Sequence, residues 1–233
     1  MSESIVRKMR KAADPIWAAV LAHPFVQGIG DGSLSRDRFE FYLKQDYAYL
    51  IDFGRVLAMA AAKGDTLNDM QTFSALVEST LHSEMELHRR TCSDYGISAE
   101  QLEQTVPGLI TTSYTSFLLR ACYEGDFRDV LAVLLPCAAG YCEIAAHLKE
   151  RGTPDHKHYR DWIDTYTAPE MIEVTNWIQD RLDELGAGAP EHRFGRWTRL
   201  YENSARLELM FFDMSWRKEL WPDPIPDTSA VAT

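Results

Sequence analysis

SRDRFEFYLKQDYAYLIDFGRVLAMAAAKG, residues 35–64, decides the structural class of this chain. It opens on a serine, a favoured N-cap, and closes on Gly64, a favoured residue just past a helix end. Its bulky apolar side chains are Phe39, Tyr42, Leu43, Tyr49, Leu50, Phe53, Val56 and Leu57. They recur at intervals of three and four, the period of a helix and not of a strand.

The same reading extends along the chain. A helical run covers 65–95 and ends at Gly96, and another follows Pro107-Gly108 and reaches about Glu124. After Gly125-Asp126 a long run carries Pro136 inside it and stops at Gly152. Pro154 is expected to start the next helix, Thr167 to Pro169 to interrupt it, and a further one to end near Leu185. GAGAP, 186–190, reads as a loop, and a last helix spans about Arg193 to Leu220. The N-terminal stretch MSESIVRKMRKAADPIWAAVLA has polar residues throughout, so it reads as a helix rather than a signal peptide. The tail WPDPIPDTSAVAT is proline-rich and is expected to be poorly ordered over 222–233. No stretch alternates like a strand, and no repeat is present. The expectation is one all-α domain over 1–221, a multi-helix bundle of about eight or more helices. Several helices are apolar over more than one stripe, as central helices in a bundle are.

Composition narrows the partners. The 233 residues carry a net charge of -11, with 45% hydrophobic and 25% charged residues. An acidic globular chain of this kind does not suit nucleic acid or an anionic membrane surface. The longest apolar run, Val130 to Tyr141, contains Pro136 and is too short to span a membrane. The four cysteines make no CxxC pair and no zinc spacing, consistent with reduced thiols in a cytoplasmic protein.

Candidate chemistry lies in short segments. In LLPCAAGYCEIA, 134–145, Cys137 follows a proline inside a helix, and Tyr141 lies one turn on along the same face. A thiol beside a phenol at an opened helix is a candidate nucleophile with a ring-binding partner, although a free cysteine is ordinarily a small buried hydrophobe. QDYAYL, 45–50, places Asp46 and Tyr49 on one face among aromatic residues. A carboxylate in that setting suits a flat heterocycle bearing amino groups; the alternative is an exposed Asp on a helix edge. ARLELMFFDMSW, 205–216, repeats the arrangement, with Glu208 one turn before Phe211. A carboxyl in an apolar setting has a raised pKa and can act as acid or base; the alternative is a salt bridge to an arginine such as Arg206. Glu84 with His88, and Glu143 with His147, are each four apart. They could hold a di-iron or di-manganese centre, but the spacing is also that of ordinary helical pairs, the preferred reading. His23, in HPF, reads as a cap or core group.

HPF, QDY-x-YL, LPC-x-x-x-Y and a late Glu-x-x-Phe helix, in this order from about Ile5 to Trp221, resemble the TenA (thiaminase II) family. The resemblance implies a haem-oxygenase-like fold without haem, a homotetramer and a role in thiamin salvage. The implied reaction is hydrolysis of 4-amino-5-aminomethyl-2-methylpyrimidine to the hydroxymethylpyrimidine plus ammonia, with slower cleavage of thiamin. It implies Cys137 as nucleophile, Asp46 as the acid that holds the pyrimidine and Glu208 as acid/base at the leaving amine. It also implies Tyr49, Tyr114, Tyr141, Tyr166 and Phe211 as pocket aromatics. This chemistry calls for no metal or organic cofactor. Family members often carry a large residue where this chain has Ala138-Ala139-Gly140, which would widen the pocket here. A metal-dependent oxidase and a non-catalytic pyrimidine-binding protein are the alternatives.

Overall fold

The structure is a computed structural model that describes residues 4–222. Residues 223–233, nearly all of the tail expected to be poorly ordered, lie outside the described residues. The chain begins with three short helices, α1 (Ile5–Ala12), α2 (Asp14–Leu21) and α3 (Pro24–Asp31). Then come α4 (Arg36–Lys63), α5 (Leu67–Glu78), a π-helical turn (Ser79–Glu84), α6 (Met85–Asp94) and the short α7 (Ala99–Glu103). The second half holds α8 (Leu109–Glu124), α9 (Phe127–Arg151), α10 (Lys157–Tyr166), α11 (Pro169–Gly186) and α12 (Glu191–Arg217). No strand occurs among the described residues, in agreement with the all-α expectation.

Local chemistry sets the boundaries. The side chains of Thr66 and Asp69, and of Asp126 and Asp129, form reciprocal capping boxes that start α5 and α9. The residue Gly96 takes a positive φ of 80° just after α6. Two boundaries differ from the sequence expectation. The first turn of α10 begins at Lys157, not Pro154, because Pro154 is buried in the preceding loop beside Gly32. The end of α12 falls at Arg217, short of Leu220, where Lys218 adopts the left-handed conformation. The 65–95 run is interrupted by the π-helical turn, a wider turn that periodicity did not disclose.

The core is built around α9, which continues through Pro136. It packs against α12, α11, α10 and α8. Residues 130–136 are buried on every side, which explains an apolar run with no single stripe. By length and composition α9 could cross a membrane, but 61% of its apolar window is buried inside the protein, as expected of a core helix. Polar pins fix its neighbours. Buried Gln45 on α4 accepts from Gly108 N (2.8 Å) and Thr111 Oγ1 (2.6 Å) and donates to Val106 O (3.1 Å). Arg181 grips buried Asp69 through two 2.8 Å bonds, linking α11 to the α5 cap. Ser204 Oγ on α12 donates to Val133 O on α9 at 2.9 Å.

Gly140 shows how tightly α9 is packed. A Cβ there would lie 2.0 Å from Cη2 of the buried Trp17 ring. No rotamer change of a flexible side chain relieves that contact, so α9 or Trp17 must shift. Gly140→Ala is expected to destabilise the protein by about 1–3 kcal/mol, the usual cost of overpacking, measured by urea denaturation against wild type.

Candidate active site

One cavity of about 120 Å³ brings together all eight residues singled out in the sequence. Helix α4 supplies Asp46 and Tyr49, α8 supplies Tyr114, and α9 supplies Cys137 and Tyr141. Helix α10 adds Tyr166, and α12 adds Glu208 and Phe211. The π-helical turn contributes Ser79, Thr80 and Glu84 to the wall, and these were not foreseen as lining residues. A π-helical turn widens the helix locally, which is a recurrent way of aiming side chains into a site.

Glu208 is buried, 2% exposed. Its Oε1 is hydrogen-bonded to the Tyr114 hydroxyl at 2.6 Å, so the sequence alternative of a salt bridge to Arg206 does not apply. Arg206 instead bonds Asn203 Oδ1 at 3.0 Å. Burial pushes the Glu208 carboxyl up to about 8, against the pull of the Tyr114 hydrogen bond. The Cys137 thiol is half-buried and is raised well above its usual range, by burial first and by the Glu208 charge second. At neutral pH both groups hold their protons. The buried Tyr49 hydroxyl makes no well-formed hydrogen bond and lies against the Cys137 thiol, with which it interacts, at the cavity wall. The other three cysteines are free as well, and Cys92 and Cys122 are buried with thiols pushed up to about 12, the behaviour of inert core residues.

Asp46 is not the exposed edge residue of the alternative reading; it is buried at 7% exposure. His88 Nε2 lies 2.7 Å from its Oδ2, and His88 Nδ1 lies 3.2 Å from the Glu84 backbone carbonyl. A carbonyl only accepts, so Nδ1 carries a hydrogen, and the short contact to Asp46 holds a second proton. Burial lowers the basicity of His88, but the Asp46 hydrogen bond and charge outweigh it and hold the imidazole above its usual range. The Glu84–His88 spacing therefore reflects a backbone contact, not a carboxylate–imidazole pair. Desolvation raises the Glu84 carboxyl to about 7.

The second four-residue pair also separates: Glu143 bonds Arg10 through Nε (2.9 Å) and Nη2 (2.5 Å) instead of His147. Among the described residues no three His, Cys, Asp or Glu side chains cluster as metal ligands. His23 caps α3 by accepting from Phe25 N at 3.2 Å, as its position suggested.

Aromatic rings form two walls. Tyr141 lies 4.8 Å from Tyr166 between centroids, and Tyr49 lies 5.1 Å from Tyr114 and 6.1 Å from Phe211. Of the small residues that follow Cys137, Ala138 lines the cavity. Ala139 borders an outer crevice and Gly140 abuts Trp17, so Ala138 is the position where lost bulk would enlarge the site.

The profile of the TENA/THI-4/PQQC family matches residues 10–218. The chain belongs to that family. It is 41% identical to an aminopyrimidine aminohydrolase of Halalkalibacterium halodurans, over 94% of this chain and 98% of that one. Among solved structures, a TenA family transcription regulator from a Silicibacter species superposes with a TM-score of 0.84 at 34% identity, covering 93% of this chain and 99% of that one. A domain from Shewanella denitrificans with a haem-oxygenase-like fold superposes with a TM-score of 0.73 at 14% identity, covering 91% of this chain and 92% of that one, a likeness of fold alone. The fold of this TENA/THI-4/PQQC member is thus haem-oxygenase-like, as expected.

The raised carboxyls have a consequence for stability. Glu208 and Glu84 would ionise near 4.5 when unfolded but at about 8 and about 7 when folded. Between these values the unfolded chain releases protons that the folded one keeps, so their contribution to stability is lost as pH rises. Denaturation followed from pH 5 to 8 should show Glu208→Gln losing less stability with rising pH than wild type does.

Proposed function

We propose that this protein hydrolyses 4-amino-5-aminomethyl-2-methylpyrimidine to the hydroxymethylpyrimidine and ammonia, in thiamin salvage. The observation that carries the reading is the meeting of Asp46, Cys137 and Glu208, from three helices, at one aromatic-walled cavity. The relationship to an aminopyrimidine aminohydrolase over nearly the full length supports the substrate class.

The roles follow from residue chemistry. Asp46, held by His88, accepts from the ring's exocyclic amino group, and Tyr141, Tyr166, Tyr49 and Phe211 enclose the ring faces. Glu208 gives its proton to the substrate amine, then takes the thiol proton of Cys137. The thiolate adds to the pyrimidine ring, and the ring electrons expel ammonia from the methylene carbon. Water adds to that carbon as the C–S bond breaks. The proton released from water returns through Glu208 to the sulfur, so the enzyme ends the cycle as it began. Glu208 passes through both protonation states in each turnover, and a resting value of about 8 keeps both accessible near neutral pH.

Cleavage of thiamin itself would use the same steps with a thiazole as leaving group. The family resemblance adds the expectation of a cytoplasmic homotetramer, which sedimentation of the purified chain tests.

Ammonia release from the aminomethylpyrimidine should fall at least about a hundredfold in kcat for Cys137→Ser, the scale of removing a chemical participant. Equal rates in wild type and variant would remove the nucleophile. Tight binding of the hydroxymethylpyrimidine without turnover of any analogue would make the protein a binding module instead.

A further inference from the structure

Three buried oxygens lie in sequence behind the Glu208 carboxyl. Glu208 Oε1 is 2.6 Å from the Tyr114 hydroxyl, that hydroxyl is 3.1 Å from Ser204 Oγ, and Ser204 Oγ is 2.9 Å from the Val133 carbonyl oxygen. Ser204 is fully buried, Tyr114 is 1% exposed, and Ser204 does not line the cavity. The chain has three contacts but only two hydroxyl protons, and Val133 O can only accept. The third proton can come only from Glu208.

The two states of Glu208 then order the chain differently. With Glu208 neutral and its proton on Oε1, Glu208 donates to Tyr114, Tyr114 donates to Ser204, and Ser204 donates to Val133. All three contacts are hydrogen bonds. With Glu208 ionised, Tyr114 turns its proton to the carboxylate and Ser204 still bonds Val133. The Tyr114–Ser204 contact then holds no proton. Ser204 Oγ therefore accepts a hydrogen bond in one protonation state of Glu208 and not in the other.

We infer that Ser204 is a positioning residue that works through Tyr114, giving the Tyr114 hydroxyl an acceptor whenever Glu208 carries its proton. This deepens the role proposed above for Glu208 and rests on that reading for its catalytic meaning, but the proton arrangement itself does not depend on the substrate. Removing the serine oxygen withdraws support from the neutral acid alone, so the Glu208 proton is held less tightly.

The other groups facing Glu208 do not fill this place. Helix α4 presents Asp46, paired with His88 of α6, and the phenols Tyr42 and Tyr49. Helix α9 presents Cys137 and Tyr141. The helices α1, α2 and α3 also pack on α12, but Arg10 is engaged by Asp14 and Glu143, and His23 lies 3.7 Å from Asp213. None of them is an acceptor for the Tyr114 hydroxyl.

The test follows the Glu208 carboxyl by carbon-13 NMR across pH in the ligand-free protein, with the resonance assigned through Glu208→Gln. Ser204→Ala should lower the Glu208 midpoint by about half to one pH unit, a roughly three- to tenfold change in its ionisation constant. Ser204→Thr, which keeps the hydroxyl, should return it towards wild type. In a Tyr114→Phe background, Ser204→Ala should shift nothing, because the link is gone; this arm decides the matter if the threonine is too bulky to fold. A midpoint that stays or rises in Ser204→Ala, or a shift that persists without the Tyr114 hydroxyl, overturns the inference. A purely structural serine would lower stability and leave the midpoint in place. Because the measurement needs no turnover, absence of ammonia release from wild type would overturn the proposed reaction and leave this result readable.

Discussion

The contact between α9 and α12 is the constraint on which the site depends. The nucleophile candidate Cys137 and the acid Glu208 sit on these two helices, and their distance apart is set by how closely the helices pack. Ser204 on α12 bonds directly to the α9 backbone at Val133 O. The same packing buries Glu208 and leaves Cys137 only partly exposed. Desolvation is the largest cause raising both ionisations, so the geometry and the acid–base behaviour of the site are linked.

Most of the helical framework was legible because it is governed by local rules. Gly64 and Gly96, Gly125 with Asp126, and Gly152 mark helix ends through backbone freedom or capping, which a sequence displays openly. The eight candidate side chains were legible because short motifs recur on single helices and the family pattern joined the motifs together. Their convergence on one cavity was not readable from periodicity, since it depends on the angles at which α4, α8, α9, α10 and α12 cross.

What escaped sequence reasoning involves contacts between distant segments. His88 and Asp46 are 42 residues apart, and the nearer Glu84, one turn away, offered a more obvious partner. Glu143 joins Arg10 across 133 residues for the same reason. Ser204 carries no local signal at all: a serine inside a helix ordinarily reads as a neutral filler. The role inferred for it emerges only when its oxygen is seen between a phenol and a main-chain carbonyl. Pro154 failed in the opposite sense. Its local signal was clear, but tertiary packing used the ring as a loop wedge instead of a helix start.

The widened turn at Ser79–Glu84 limits how this wall of the cavity can vary through evolution. Substitutions there alter one side chain at a time. A single-residue deletion would restore the ordinary helical pitch and leave the helix beyond it on nearly the same face, because the wide turn is where the additional residue is absorbed. His88 would stay on Asp46, while Ser79, Thr80 and Glu84 would lose their aim at the cavity. The bundle could therefore survive losing that residue while the pocket could not, so selection for catalysis, and not for folding, is what should preserve the length of this segment.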